Sequence, residues 1–440
     1  MAVEHDAIVV GAGMAGLACA ADLVEAGLRV VLLEGSDGPG GRVRTDRRDG
    51  FLLDRGFQVF NTAYPQVKRR FDLRALRLHP FTPGVVAHTP SGPVRLVDPS
   101  RRREGARTLL PGRALSARDL AALSALTLRD AFLPARALKG RGDRSTREAL
   151  RRAGLTPALV DHVLRPFLSG VFLEDRLETS ARYFHLVWRS MARGTLCLPA
   201  EGIGAAAAQL AAALPEGTLW PGTPVAAVTD TGVLLADGRD LAARTVVVAT
   251  DARTAAALLP GLAVPAQRTA TTFYYAADDA PLTEPVLLLD STMTVLNTCV
   301  LSAVVPGYAP PGTALVSASV LGTDTPERER TVRRRLGELY GSDPARWQLV
   351  ATYPVTDALP AMPPPWPLTR TTRFAPARYV CGDHRATGSV QGALASGTRA
   401  AREVLADLTR TRLRRGGRDA GPGHSRAASR ETLRRPLHGS

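Results

Sequence analysis

Apolar and polar residues along this chain fall into blocks whose periods predict distinct elements. Ala7 to Val10 is wholly apolar and runs into a glycine, the pattern of a short parallel strand buried on both faces. Met14 to Ala26 carries apolar residues at helical spacing and stops at Gly27, which suits a left-handed C-terminal turn. Arg29 to Leu33 is the next β-branched run, so strand, helix and strand follow one another as in a compact nucleotide-binding unit. Helices are also predicted over Ser145–Leu164 and over Glu178–Met191, the second holding Tyr183, Phe184, His185 and Trp188. Short strands are predicted near Val225–Thr229 and Val233–Ala236, then the Asp237-Gly238 turn, then Thr245–Ala249. Ala266–Tyr353 is strand-rich with one helix near Glu327–Tyr340, and Tyr379–Cys381 is a last strand before a helix over Ser389–Leu408. No internal repeat is present, and the alternation of the two periods makes the fold class α/β.

Composition narrows this little. With 440 residues, 45% hydrophobic and 22% charged, the chain is an ordinary globular protein of two or three domains. Cys19, Cys197, Cys299 and Cys381 stand too far apart for metal or redox spacing, so reduced thiols, a cytoplasmic location and no metal are expected. The start is acidic where a secretory signal would be basic, and no apolar run reaches the ~18 residues that span a bilayer.

Charge is uneven. Of the net +15, residues 409–440 contribute +7, and this polar tail with its Gly and Pro is expected to be disordered. Residues 95–152 carry a local +9, yet Phe132 is their sole aromatic, so base-stacking platforms are missing and no nucleic-acid partner is expected. Basic residues there flank the apolar runs Leu120–Leu128 and Ala131–Leu138. That arrangement fits a peripheral membrane contact as well as a solvated, Arg-rich face.

The first chemical motif is Gly11-Ala12-Gly13-Met14-Ala15-Gly16, leaving a predicted strand and opening a predicted helix. Gly11 permits the tight turn, Gly13 lets a pyrophosphate approach the backbone, and Gly16 lets helix and sheet pack closely. The helix N-terminus then offers unpaired N–H groups to phosphates. Glu34 closes the second strand, where its carboxylate can accept from ribose hydroxyls and would repel a 2′-phosphate.

Just past Glu34 the chain reads Gly38-Pro39-Gly40-Gly41-Arg42-Val43-Arg44-Thr45, and near its end Tyr379-Val380-Cys381-Gly382-Asp383 and Gly388-Ser389-Val390-Gln391-Gly392-Ala393. Together these resemble the flavoprotein superfamily that includes amine oxidases, protoporphyrinogen oxidase and phytoene desaturases. Leu198–Gly204 and the strands after Pro224 are similar to further segments of it. The resemblance implies a Rossmann-type, glutathione-reductase-like FAD-binding domain over residues 1–75, 195–262 and 355–408. It also implies a discontinuous mixed α+β substrate domain over 76–194 and 263–354, leaving 409–440 as the tail. It implies FAD lying along Gly11, Gly13, Met14, Ala15 and Gly16, with Glu34 at the ribose and the Val225 backbone at the adenine. Gly40, Gly41 and Arg42 would lie at the pyrophosphate, Gly56, Phe57 and Gln58 near the flavin, and Gly382 and Asp383 at the ribityl–pyrophosphate region. Ser389, Val390 and Gln391 would form the helix N-terminus that faces the flavin ring, where reduced flavin gathers negative charge.

Two departures shape the expected chemistry. Amine oxidases of the superfamily use a lysine in the later substrate-domain strands to hold a water at flavin N5, but no lysine follows Lys139, and that region offers Asp290, Asn297 and Cys299 instead. No cysteine sits where such enzymes attach flavin, so the FAD is expected to be non-covalent. Walker A, G-x-S-x-G and H-E-x-x-H patterns are missing. His384 can reach phosphate or ribityl groups, whereas His185, Tyr183 and Trp188 read as core packing. The expected reaction is hydride transfer from a hydrophobic, isoprenoid- or polyene-like substrate to flavin N5, with O2 or a quinone-like acceptor reoxidising the flavin. No catalytic residue is singled out. The alternatives are a flavin amine oxidase that releases hydrogen peroxide and a non-catalytic carrier on the same fold.

Overall fold

The structure is a computed structural model that describes residues 5–98, 101, 116–140 and 142–419, with 411–419 described as backbone only. Two sheets organise these residues. In the first, Leu219–Trp220, Val30–Leu33, His5–Val10, Asp240–Val248 and Arg378–Val380 lie side by side in parallel. Both faces are covered. Ala7, Val9, Leu32, Val247 and Tyr379 pack into one core, and Ile8, Val10, Val31, Leu33, Val246, Val248 and Val380 into another. This is why these strands read as continuous apolar runs rather than alternating ones. The first half of Asp240–Val248 also pairs antiparallel with Gly232–Leu235, which continues to Val225–Val228.

Helix Met14–Glu25 lies on the first sheet and against the C-terminal helix Val390–Asp419. The crossing is close enough that a methyl group on Gly397 would overlap the Ala15 carbonyl. The second sheet takes the order Gln348–Pro360, Gln267–Ala277, Ala314–Leu321, Asn297–Val300, Leu287–Asp290, Gly84–Thr89 and Gly92–Val97. Its pairs are antiparallel except Leu287–Asp290 with Gly84–Thr89. A helical layer covers part of it, where Leu168, Phe172, Phe184 and Val187 share a core with Ala87 and Leu289.

Several elements depart from the sequence expectation. Ser145–Leu164 is not one helix: Thr146–Arg152 ends before Gly154, whose φ of +87° turns the chain, and Thr156-Pro157 starts a new segment. That segment passes through a π-turn at Val160–Leu164 and continues as Arg165–Phe172. The helix expected from Glu178 begins at Ala181, because the Ser180 hydroxyl accepts from the Tyr183 N–H and caps it there. The strand expected at Thr245–Ala249 is the end of the longer Asp240–Val248. The last strand of the second sheet runs on to Pro360, and the chain re-enters the first sheet only at Arg373. The tail expected to be disordered from 409 starts as helix, which continues to Asp419 through Arg and Leu, both good helix formers. Residues 420–440 lie outside the described residues, as does the Arg-rich stretch 102–115. Beside the latter, helix Ala117–Phe132 leaves Leu128 and Phe132 exposed. Among the described residues no helix is long and apolar enough to cross a membrane.

Candidate cofactor site

The site grows from the C-terminal ends of the parallel strands. Strand His5–Val10 ends at Gly11, whose N–H donates to the Leu33 carbonyl at 2.7 Å. Gly11 has φ +101°, and a methyl group there would press on the Ala249–Thr250 backbone at 3.1 Å. Gly13 caps the following helix without a side-chain bond to its first N–H groups, and the space where its Cβ would stand is open. Gly16 cannot carry a side chain, since its Cβ would overlap the Gly11 carbonyl oxygen. The three glycines therefore differ: one turns the chain, one leaves room, one permits contact.

The second glycine pair lies against the first. The Gly40 N–H donates to the Ala12 carbonyl at 2.8 Å, Gly40 forms a bridge with Gly13, and a methyl on Gly41 would stand 3.4 Å from the Gly13 α-carbon. Met14 and Ala15 open the helix beneath them and are buried. This is a side-chain-free cradle at an uncapped helix N-terminus, the arrangement that receives a diphosphate.

Glu34 is more occupied than the sequence implies. Its carboxylate accepts from the Ala12 N–H at 2.7 Å and from the Ser36 N–H and hydroxyl at 2.9 and 2.7 Å. Three of about four acceptor sites are thus used, leaving one open. Glu34 therefore also braces the Gly11–Gly16 turn. Glu34→Ala is expected to weaken FAD binding by about 1.5–3 kcal/mol, read by titrating flavin-free protein with FAD; an unchanged affinity would contradict it. Val225 is brought to the same corner: the Thr223 N–H donates to the Glu34 carbonyl at 2.7 Å, and Gly35 packs on Pro224.

Arg42 joins the two ends of the chain. Its guanidinium pairs with Asp383 at 2.8 Å and donates to the carbonyls of Ala358 at 2.8 Å and Asp357 at 3.3 Å. The Gln58 amide donates to the Arg42 carbonyl at 2.6 Å, and the Phe57 N–H donates to the Thr272 hydroxyl at 3.1 Å. Gly56, at φ +91°, sits against Val355, which seats this segment on the second sheet. Gly382 follows strand Arg378–Val380, with the Cys381 N–H donating to the Val248 carbonyl at 2.9 Å and the Gly382 N–H to the Ser396 hydroxyl at 3.1 Å. Asp383 also accepts from the His384 N–H at 3.0 Å.

At the C-terminal helix, the Ser389 hydroxyl accepts from the Gly392 N–H at 3.1 Å, just before Val390 starts the helix. The Gln391 side chain accepts from the Gln66 N–H at 2.9 Å, so it ties the helix to Pro65–Arg70. Tyr183, read from the sequence as core packing, is buried and also directs its hydroxyl to the Gly388 carbonyl at 2.6 Å. Met362 accepts from the Gly388 N–H, and Asp251 caps helix Ala252–Leu258 while adding negative charge near Arg42. Of these, only the Asp251 cap had a sequence signal, an acidic residue just past a strand and before a helical run.

Asp54 ends strand Phe51–Asp54, just before Gly56. It is buried and accepts from the Thr45 hydroxyl, the Ile203 N–H and the Tyr308 hydroxyl at 2.6, 2.9 and 3.1 Å. Burial pushes its pKa up to about 6 despite these donors. A carboxyl whose folded-state pKa is raised binds its proton more tightly in the native state, so stability falls as pH rises through that value. Relative to Asp54→Asn, the wild type is expected to lose about 2 kcal/mol between pH 4.5 and 7.5. Urea unfolding of both proteins at the two pH values checks this; a constant difference would contradict it.

The model of the family described as flavin containing amine oxidoreductase matches residues 14–405. The chain belongs to this family. Its cofactor is FAD, and the family is one of FAD-dependent oxidoreductases. The open space at Gly13, the Gly40–Gly41 cradle and the uncapped helix N-terminus fit that group. Among curated relatives, coproporphyrinogen III oxidase of Propionibacterium freudenreichii subsp. freudenreichii is 39% identical over 77 residues, 18% of this chain and 15% of that protein. Hydroxyneurosporene desaturase of Rhodobacter capsulatus is 46% identical over 56 residues, 13% of this chain and 11% of that protein. The chain thus matches only a small part of these relatives' lengths. The fold is shared with cyclohexylamine oxidase from Brevibacterium oxydans, at TM-score 0.67 and 17% identity over 92% of this chain and 99% of that one.

Proposed function

We propose that this chain is an oxidoreductase that removes a hydride equivalent from a small hydrophobic substrate of isoprenoid or polyene type, with its FAD held non-covalently. Bound FAD supplies the two-electron acceptor, which O2 or a quinone-like compound restores. In this reading the first sheet and its helices hold the cofactor through the glycine cradle, Glu34, Arg42 and Asp383. The second sheet and its helical layer hold the substrate.

The observation that carries the substrate class is a row across the second sheet. Thr272 pairs with Ser319, Ser319 with Asn297, and Leu289 with Asn297 and with Ala87, so these side chains share one face. Thr272 bonds the Phe57 N–H, which sets the row beside the Gly56–Gln58 segment. The row carries no carboxylate to hold an alkylammonium and no lysine to position a water, and it grades into the apolar core at Leu289 and Ala87. Its residues orient a neutral substrate and exclude water. Forming a C=C bond in such a substrate takes a hydride from one carbon and a proton from its neighbour. The row would place the donating C–H bond, and the proton would pass to bulk water.

The test is anaerobic mixing of the FAD-loaded protein with detergent-solubilised polyenes and, separately, with a panel of primary amines. Loss of the visible flavin band with a polyene and none with amines supports the proposal. The reverse, with hydrogen peroxide release in air, would establish the amine oxidase reading in its place.

A further inference from the structure

Helix Ala117–Phe132 is built with its polarity turned round. A helix on the surface of a globular protein normally buries its apolar stripe and turns its charges to water. Here the two acids, Asp119 and Asp130, are buried. Asp119 accepts from the Thr156 N–H and hydroxyl at 2.8 and 2.9 Å, and Asp130 bonds the His185 Nδ1 at 2.7 Å and the Arg129 guanidinium at 2.8 Å. Leu126 points inward with them, into the core it shares with Leu168 and Phe184. The outward face carries Ala117, Ala121, Ala125, Leu128 and Phe132, whose helical spacing lines them up as one stripe. Leu128 is 57% exposed and Phe132 78%, more than any other large apolar side chain among the described residues. The helix is thus apolar on both sides, the pattern of a helix that is covered on both sides.

The charge around the stripe decides what covers it. Between Ser116 and Gly140 the exposed charged side chains are Arg118, Arg136 and Lys139, all basic, because both acids face inward. A second copy of the chain docked on the same face would set these cations against their own counterparts across a two-fold axis. The boundary of an anionic bilayer offers both complements: negative headgroups for the cations, and an apolar layer beneath them for Leu128 and Phe132. We propose that the outer face of Ala117–Phe132, with the short helix Ala135–Lys139 that follows it, docks on anionic lipid bilayers. The helix lies in the interface plane with its stripe in the lipid and its buried acids toward the protein. The inference depends neither on the cofactor nor on the substrate class proposed above.

The test is sedimentation of the full chain with vesicles of equal parts phosphatidylcholine and phosphatidylglycerol, and with vesicles of phosphatidylcholine alone. Wild type is expected to partition onto the anionic vesicles about tenfold more strongly than onto the neutral ones. Leu128→Ser combined with Phe132→Ser should weaken binding to the anionic vesicles about tenfold and leave the melting temperature unchanged, since both side chains are exposed. Arg136→Ser combined with Lys139→Ser should weaken it several-fold. The basic residues of 102–115 and 409–440 remain in every variant, so a loss reports this face and not net charge. Wild type that stays in the supernatant with both vesicles would overturn the proposal. So would wild-type binding by either double variant. A dimer in lipid-free solution that Leu128→Ser with Phe132→Ser abolishes would assign the face to a second copy and overturn it as well.

Discussion

Gly16→Ala is expected to lower stability by about 3 kcal/mol and to abolish FAD retention, whereas Gly13→Ala should keep the stability and lose only the cofactor. In a helix interior, glycine to alanine normally stabilises, by up to about 1 kcal/mol. The sign reverses at Gly16 because the new methyl meets the Gly11 carbonyl, which is backbone and cannot swing aside. Relief requires the helix to lift from the strand end, and that movement dismantles the turn facing the diphosphate. Gly13 has φ −70° and ψ 177°, an extended conformation open to alanine, and nothing lies within 4 Å of its Cβ position. In the proposed reading that space is taken by the cofactor alone. Thermal melts with FAD titration separate the two variants. A Gly16→Ala protein of wild-type stability would show that helix and strand are not this close.

Arg42→Met should be the second most damaging change. It removes the contacts to Asp383, Ala358 and Asp357 and leaves the Asp383 carboxylate, 7% exposed, without its counter-charge. Breaking one side of a buried pair costs about 3–5 kcal/mol. Because the Arg42 side chain is 34% exposed, the expected loss is nearer 2–3 kcal/mol. Lysine should not rescue it, since a point charge cannot serve the carboxylate and two carbonyls at once. The decisive form is a double-mutant cycle with Asp383→Asn, followed by urea unfolding. The two losses should fall short of adding, since each mutation removes the same pair. Strict additivity would mean that the Arg42–Asp383 contact contributes nothing.

Those two sites also mark what the amino-acid order reveals. Gly11 to Gly16 was legible locally, because a strand, a turn and a helix within one stretch impose glycine for three separate steric reasons. The Arg42–Asp383 pair joins residues far apart in the chain, so only the resemblance to a known family could suggest that they meet. The break at Gly154 was hidden because apolar spacing continues on both sides of it, and only the backbone turn separates the segments. The Gln391 side chain bonds the Gln66 N–H, a contact between distant residues that carries no local signal. The Thr272–Ser319–Asn297 row depends on register between three strands and carries no local signal.

In the proposed reading the N-terminal and C-terminal glycine turns close around a single FAD. Calorimetric titration of FAD into flavin-free protein tests it most directly. Wild type is expected to bind one FAD per chain, with a large loss of affinity when either Gly13→Ala or Asp383→Asn is introduced alone. A folded protein that binds FAD undiminished after both changes would contradict it.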